Sequence, residues 1–222
     1  MPAIGITGGV ATGKSSFVKC LQQLMPAAKF FDADVAAREV VDLPEVKQEL
    51  TGQFGDDIFS GSGHLNREAL RAIVFADPAK KSALEQILHP RIRRQWSALG
   101  ETHRNSSDFF FADIPLLYET NGEKLCDRVV VVACSRNVQL ARLRQRSGIG
   151  FQPMADRQDA DATMEAMINS QMPLKEKIRR ADHVVWNNGT PETLMDQAAM
   201  LVSLWQTEWR SGAVAPPARP KA

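Results

Sequence analysis

With 222 residues, 44% apolar and 24% charged, the chain has the composition of a soluble globular protein. That length suits one good-sized α/β domain with an inserted subdomain and is too short for two independent ones. A net charge of +1 gives no hint of a nucleic-acid or membrane surface, and neither is expected as a partner; a polyphosphate site would then need local positive charge.

The first residues lack the apolar core of a signal peptide, and no apolar run is long enough to span a bilayer. Cys20, Cys126 and Cys134 stand without paired or metal-type spacing and read as buried free thiols. The expected location is the cytoplasm.

Ala3 to Thr7 is a short apolar strand. It is followed by Gly8-Gly9-Val10-Ala11-Thr12-Gly13-Lys14-Ser15, which fits G-x-x-x-x-G-K-S/T, with Ser16 next. Lys14 to Met25 then reads as a helix with Phe17, Val18, Leu21 and Leu24 at helical spacing. Strand, loop and helix in this order make a cradle for nucleotide phosphates. Gly8 and Gly13 let backbone amides turn toward phosphate oxygens, and the helix N-terminus adds its dipole. Lys14 is expected to reach the β- and γ-phosphates, and the Ser15 hydroxyl to ligate Mg²⁺.

Further on, Lys29 to Asp32 reads as a second strand. Residues 34 to 54 read as a helix with Val35, Val40, Val41, Val46 and Leu50 on its apolar face. Glycines at 52, 55, 61 and 63 predict a loop over 52–64. Asn66 is the expected N-cap of a helix over 67–75, and Pro78 opens another running to about Leu99.

Asp108 to Asp113 and Arg128 to Val132 are continuous apolar runs of the kind covered on both faces in a parallel sheet. Ser135 can cap a helix carrying Val138, Leu140, Ala141 and Leu143. His183 to Trp186 is the last strand, and Thr190-Pro191-Glu192 opens a final helix with Leu194, Ala198, Leu201 and Trp205 on one face. The proline-containing tail 211–222 is expected to be disordered. Strands alternating with helices predict an α/β fold with a parallel sheet, and the helix-only stretch from Asp34 to Leu99 predicts a projecting subdomain.

Asp113 ends its strand at the sheet edge where ligands sit in such folds and is a candidate Mg²⁺ ligand. Asp32-Ala33-Asp34 ends the second strand at the same edge. Either one of these carboxylates orients an acceptor hydroxyl and takes its proton, or Asp34 merely caps the helix that follows. Arg142 and Arg146 share a helix face. They either clamp phosphates or adenine, or belong to a solvated basic face with Arg136, Arg144 and Arg157. His89, before Pro90, reads as a structural residue at a helix bend.

Taken together, several segments resemble the dephospho-coenzyme A kinase family: IGITGGVATGKSS (4–16), FDADVAAREVV (31–41), NREALRAIVF (66–75), LEQILHPRI (84–92), DIPLLYE (113–119), VVVVACSRNVQLARLRQR (129–146) and ADHVVWNNG (181–189). The resemblance implies a three-layer P-loop NTPase-type fold with a parallel five-stranded sheet, forming one kinase domain over 1–210. Its core would be 1–33, 108–145 and 181–210, its helical acceptor subdomain about 34–107, and its lid about 146–180.

It also implies transfer of the γ-phosphoryl of ATP, with Mg²⁺, to the ribose 3′-hydroxyl of 3′-dephospho-CoA. The expected state is a monomer or weak homo-oligomer. Gly8, Gly9, Val10, Ala11, Thr12, Gly13, Lys14, Ser15 and Ser16 would bind ATP, with Arg146, Asn187 and Gly189 on the nucleotide side. Asp34 would be the base or orienter of the acceptor hydroxyl, acting with Lys14 and Arg142. Arg67, Arg71, His89, Leu116 and Leu117 would line the acceptor site.

Two features depart from the family pattern. The stretch between Arg146 and Gln171 is about ten residues longer, which predicts an enlarged surface loop over 147–165. Met167 stands where the family often has an arginine, a charge that Arg157 could replace. The rival readings are a nucleoside or nucleoside-monophosphate kinase and a non-catalytic nucleotide-binding protein. A regulatory GTPase is disfavoured because the chain has no N-K-x-D segment.

Overall fold

The computed structural model describes residues 2–61, 63–102, 108–147 and 154–210, except for the side chains of 154–160 and of Arg210. In chain order the elements are β1 (Ala3–Gly8), α1 (Lys14–Leu24), β2 (Lys29–Asp32), α2 (Ala33–Val41), α3 (Pro44–Phe54), α4 (Arg67–Ala76) and α5 (Pro78–Thr102). There follow β3 (Phe110–Asp113), β4 (Arg128–Ala133), α6 (Arg136–Ser147), α7 (Met154–Asn169), α8 (Leu174–Arg180), β5 (His183–Trp186) and α9 (Pro191–Arg210). The chain divides into two compact units, residues 1–30 with 103–222, and residues 31–102.

The first unit is built on a five-stranded sheet of order β2-β3-β1-β4-β5. β1 pairs in parallel with β3 (Ile6 opposite Asp113) and with β4 (Gly8 opposite Val132), and β4 pairs in parallel with β5. Alternation along β1 sends Ile4 and Ile6 to one face, where they meet Phe17 and Leu21 of α1 and Leu194, Ala198, Val202 and Trp205 of α9. Gly5 faces the other way. A Cβ there would lie 2.7 Å from Cys126 Sγ and 2.8 Å from Leu117 Cδ2, so glycine is what lets that second layer approach the strand. All three cysteines are buried and outside any disulfide. Among the described residues no helix is long and apolar enough to cross a membrane.

The second unit packs α2 to α5 around Val40, Val41, Val46, Leu50, Ile58, Leu70 and Ile87. The single helix expected over 34–54 is two, because Pro44 supplies no amide to an intrahelical bond and starts α3 afresh at its first turn. Asn66 caps α4 as expected, its Oδ1 accepting from Ala69 N at 3.1 Å. α5 runs unbroken through Pro90.

The enlarged loop expected over 147–165 is corrected in part. Residues 154–169 form α7, a segment free of Gly and Pro and rich in Ala and Met, which favour helix. Residues 148–153 and the tail 211–222 lie outside the described residues, as does the Arg157 side chain.

Two histidines make stability depend on pH. His183 lies edge-on to Trp205 at 5.9 Å, and its buried Nε2 has no hydrogen-bond partner among the described residues. Burial holds its pKa below the ordinary 6.5, opposed by Asp182 and Glu208 and assisted by Arg128. Burial also lowers His89, with Glu85 opposing. The unfolded chain therefore binds these protons first, and stability present above pH 6.5 is lost as the pH falls through the lower folded values. Thermal melts should show a lower Tm at about pH 5.5 than at about pH 7.5, with a shallower slope in His183→Phe.

Candidate functional site

In the loop after β1, the chain turns through Ala11 (φ 57°) and Gly13 (φ 91°), both left-handed. Gly13 is the N-cap of α1, and Ser16 N and Phe17 N donate to its carbonyl at 3.0 and 3.2 Å. Among the described residues the amides of Lys14 and Ser15 donate to no protein group, which leaves them aimed along the helix axis as anion donors. The Ser15 and Ser16 side chains are exposed.

The outer wall of the loop is tied to the sheet unit at many points. Arg142 Nη1 donates to Thr12 O at 3.0 Å and Ala11 O at 3.4 Å, while its Nη2 donates to Asn187 O at 3.0 Å. Asn187 Nδ2 also donates to Thr12 O at 2.9 Å, and Asn187 N to Ala133 O at 2.7 Å. Gln139, 3% exposed, donates through Nε2 to Val10 O at 2.8 Å. Met167 packs with Leu140, Leu143, Met164 and Ile168 against Val10 and Ala11, and so forms part of an apolar buttress of the loop.

At the loop's inner edge the Lys14 ammonium pairs with the Asp113 carboxylate at the end of β3. Ser15 and Asp113 are hard oxygen donors of the kind Mg²⁺ accepts together with phosphates, so the residues present fit that ion. Lys177 is fully buried nearby, bonded to Gly8 O, Pro115 O and Glu119. Burial lowers its pKa, Glu119 opposes that shift, and Lys14 adds to it.

Arg146 is exposed one turn beyond Arg142, and Gly189 is exposed beyond β5. Leu116 is half-buried. Leu117 is fully buried against Gly5, so the expected acceptor contact is corrected: it is a core residue with no surface to offer a ligand.

In the second unit, Asp32 is the N-cap of α2. Its Oδ1 accepts from Asp34 N at 2.8 Å and from Val35 N at 3.1 Å. The capping alternative for Asp34 therefore falls away. The Asp34 carboxylate is exposed in the first turn of α2, with no hydrogen bond or ion pair among the described residues. Arg67 and Arg71 are exposed one turn apart on α4, with Arg71 over the Phe75 ring at 5.5 Å. His89 is half-buried in α5.

Neither Gln139 nor Lys177 is marked by the sequence as part of this site. Gln139 had one faint signal, its place four residues before Leu143 on the buried face of α6. Lys177 sits in Lys175-Glu176-Lys177-Ile178-Arg179-Arg180, which reads as a solvated charged helix.

The dephospho-CoA kinase family model matches residues 2–192. A dephospho-CoA kinase of Anaeromyxobacter dehalogenans is 40% identical over 208 residues, covering 91% of this chain and 92% of that one. One of Acinetobacter baylyi is 36% identical over 200 residues, covering 89% and 95%. Among solved structures, TT1252 from Thermus thermophilus superposes with a TM-score of 0.72 at 30% identity, over 92% of this chain and 97% of that one. The dephospho-CoA kinase from Campylobacter jejuni superposes at 0.67 over 96% and 98%, and at 23% identity it speaks for the fold. A family match over nearly the whole chain, with the phosphate loop and its surroundings intact, means that the chain belongs to the dephospho-CoA kinase family.

Proposed function

We propose that this chain transfers the γ-phosphoryl group of ATP to the ribose 3′-hydroxyl of 3′-dephospho-CoA, the last step of coenzyme A formation. The observation that carries the reading is the family match over residues 2–192, which takes in both the phosphate loop and the helical unit at 31–102.

Gly8 to Ser16 bind ATP through the loop amides, and Lys14 leaves Asp113 for the β- and γ-phosphates. Arg142 acts by holding the loop carbonyls, while Arg146, Asn187 and Gly189 serve the nucleotide side. Ser15 and Asp113 hold Mg²⁺, which supplies charge neutralisation when bound. Phosphoryl transfer asks mainly for positioning and electrostatic stabilisation, and these groups supply both without covalent chemistry. Asp34 orients the acceptor hydroxyl and accepts its proton, and Arg67, Arg71, His89 and Leu116 line the acceptor site. The reaction runs in the cytoplasm, by a monomer or weak homo-oligomer.

The test is to offer ATP with dephospho-CoA, AMP, CMP and uridine in separate reactions. Coenzyme A should form from the first, with no phosphorylated product from the others at comparable enzyme. Equal turnover of a nucleoside or nucleotide would overturn the reading.

A further inference from the structure

Lys177 is one of the largest fully buried side chains described, and the only lysine among them. A buried ammonium is tolerated when all three of its donors are used, and here each has a taker. Nζ donates to Gly8 O at 3.2 Å, to Pro115 O at 2.9 Å and to Glu119 Oε1 at 2.9 Å. These acceptors come from two stretches of chain far apart in sequence. Gly8 is the last residue of β1 and the first of the phosphate loop. Pro115 lies two residues beyond Asp113. Glu119 follows it, and its Oε1 also accepts from Met172 N at 2.9 Å, two residues before α8. The Pro115 carbonyl takes a second bond, from Thr7 Oγ1 at 2.9 Å.

We infer that Lys177 is a positioning residue for the nucleotide half of the reaction. Its ammonium ties the phosphate loop at Gly8 to the chain beyond Asp113 at Pro115. It thereby sets the spacing between the groups that take the phosphates and the carboxylate at the end of β3. Thr7 seconds the tie. Lys177 touches no reacting atom; it acts through the two carbonyls it holds. With all three ammonium donors taken by acceptors of the loop and of the chain beyond β3, the tie favours one arrangement of these parts, while Glu119 Oε2 is buried with no hydrogen-bond partner among the described residues.

The inference rests on the proposed kinase reading, and the test separates the two. Lys177→Met with Glu119→Gln removes the charge pair together, so that no lone buried charge remains. Affinity for a non-hydrolysable ATP analogue is measured by calorimetry, and dephospho-CoA binding on the same samples. The double variant should lose about tenfold in analogue affinity, the size of a charge-assisted hydrogen bond, while dephospho-CoA affinity holds within about twofold.

Parental analogue affinity in a folded double variant would overturn the inference. So would an equal loss for both ligands, which marks general loosening. Should the double variant not fold, Thr7→Val takes its place, since it removes only the second bond to Pro115 O. It should weaken the analogue about threefold at unchanged dephospho-CoA affinity, and an unchanged analogue affinity sinks the tie. If the parent binds the analogue yet makes no coenzyme A, the function reading fails and the tie still stands to be judged by affinity.

Discussion

Gly13→Ala should abolish useful ATP binding while leaving the protein folded. Gly13 sits at φ 91° and ψ 25°, where an L-side chain costs about 1–2 kcal/mol. The new methyl would also overlap the Asn187 amide nitrogen. That side chain has little room to yield. Its Nδ2 is bonded to Thr12 O, its own amide to Ala133 O, and its carbonyl to Arg142. The loop must move instead, and the loop amides are the phosphate ligands. Strain and displacement together should cost roughly a hundredfold in affinity for an ATP analogue. Equilibrium titration checks this, with circular dichroism to establish that the fold persists. Parental affinity in Gly13→Ala would mean that the loop geometry is not what holds the nucleotide.

Asp34→Asn is expected to cut turnover by about 10² to 10⁴, the usual contribution of a positioned general base, with ATP affinity nearly unchanged. The hydrogen bonds of α2 support a chemical role, because Asp32 does the capping and Asp34 does not. The substitution should therefore leave helix stability almost untouched, and a melting curve coincident with the parent's would document that. Asp32→Ala is the contrasting variant. It removes a cap bonded to two amides and should lower stability by about 1 kcal/mol. If Asp34→Asn phosphorylated dephospho-CoA at the parental rate, Asp34 would lose its assigned role.

Much of the site is local in the chain and so is legible without the fold. The phosphate loop needs consecutive residues with glycine at set places, and residues 8 to 15 carry them in order. Continuous valine and phenylalanine runs announced buried strands, and the Asn66 cap followed from side-chain chemistry acting three residues on. Where the reading failed, weaker local signals competed. The apolar periodicity of 34–54 ran across Pro44 and hid a helix break. The polar, glycine-containing start of the long insertion hid the helix-forming run from Met154 to Asn169.

By itself, then, the sequence determined that a nucleotide-phosphate loop stands between a strand and a helix in an α/β chain, and it carried the family resemblance. The tertiary structure decided which side chains hold that loop in shape. Lys177 and Gly8 are 169 residues apart, Gln139 and Val10 129, and Asn187 and Thr12 175. No local pattern distinguishes a lysine destined for solvent from one whose three donors will be taken up inside. That difference lies in the desolvation of the charge and in acceptors supplied by distant segments. Leu117 is the converse case: it lies in a segment that resembles a ligand-binding motif, and packing against Gly5 makes it core.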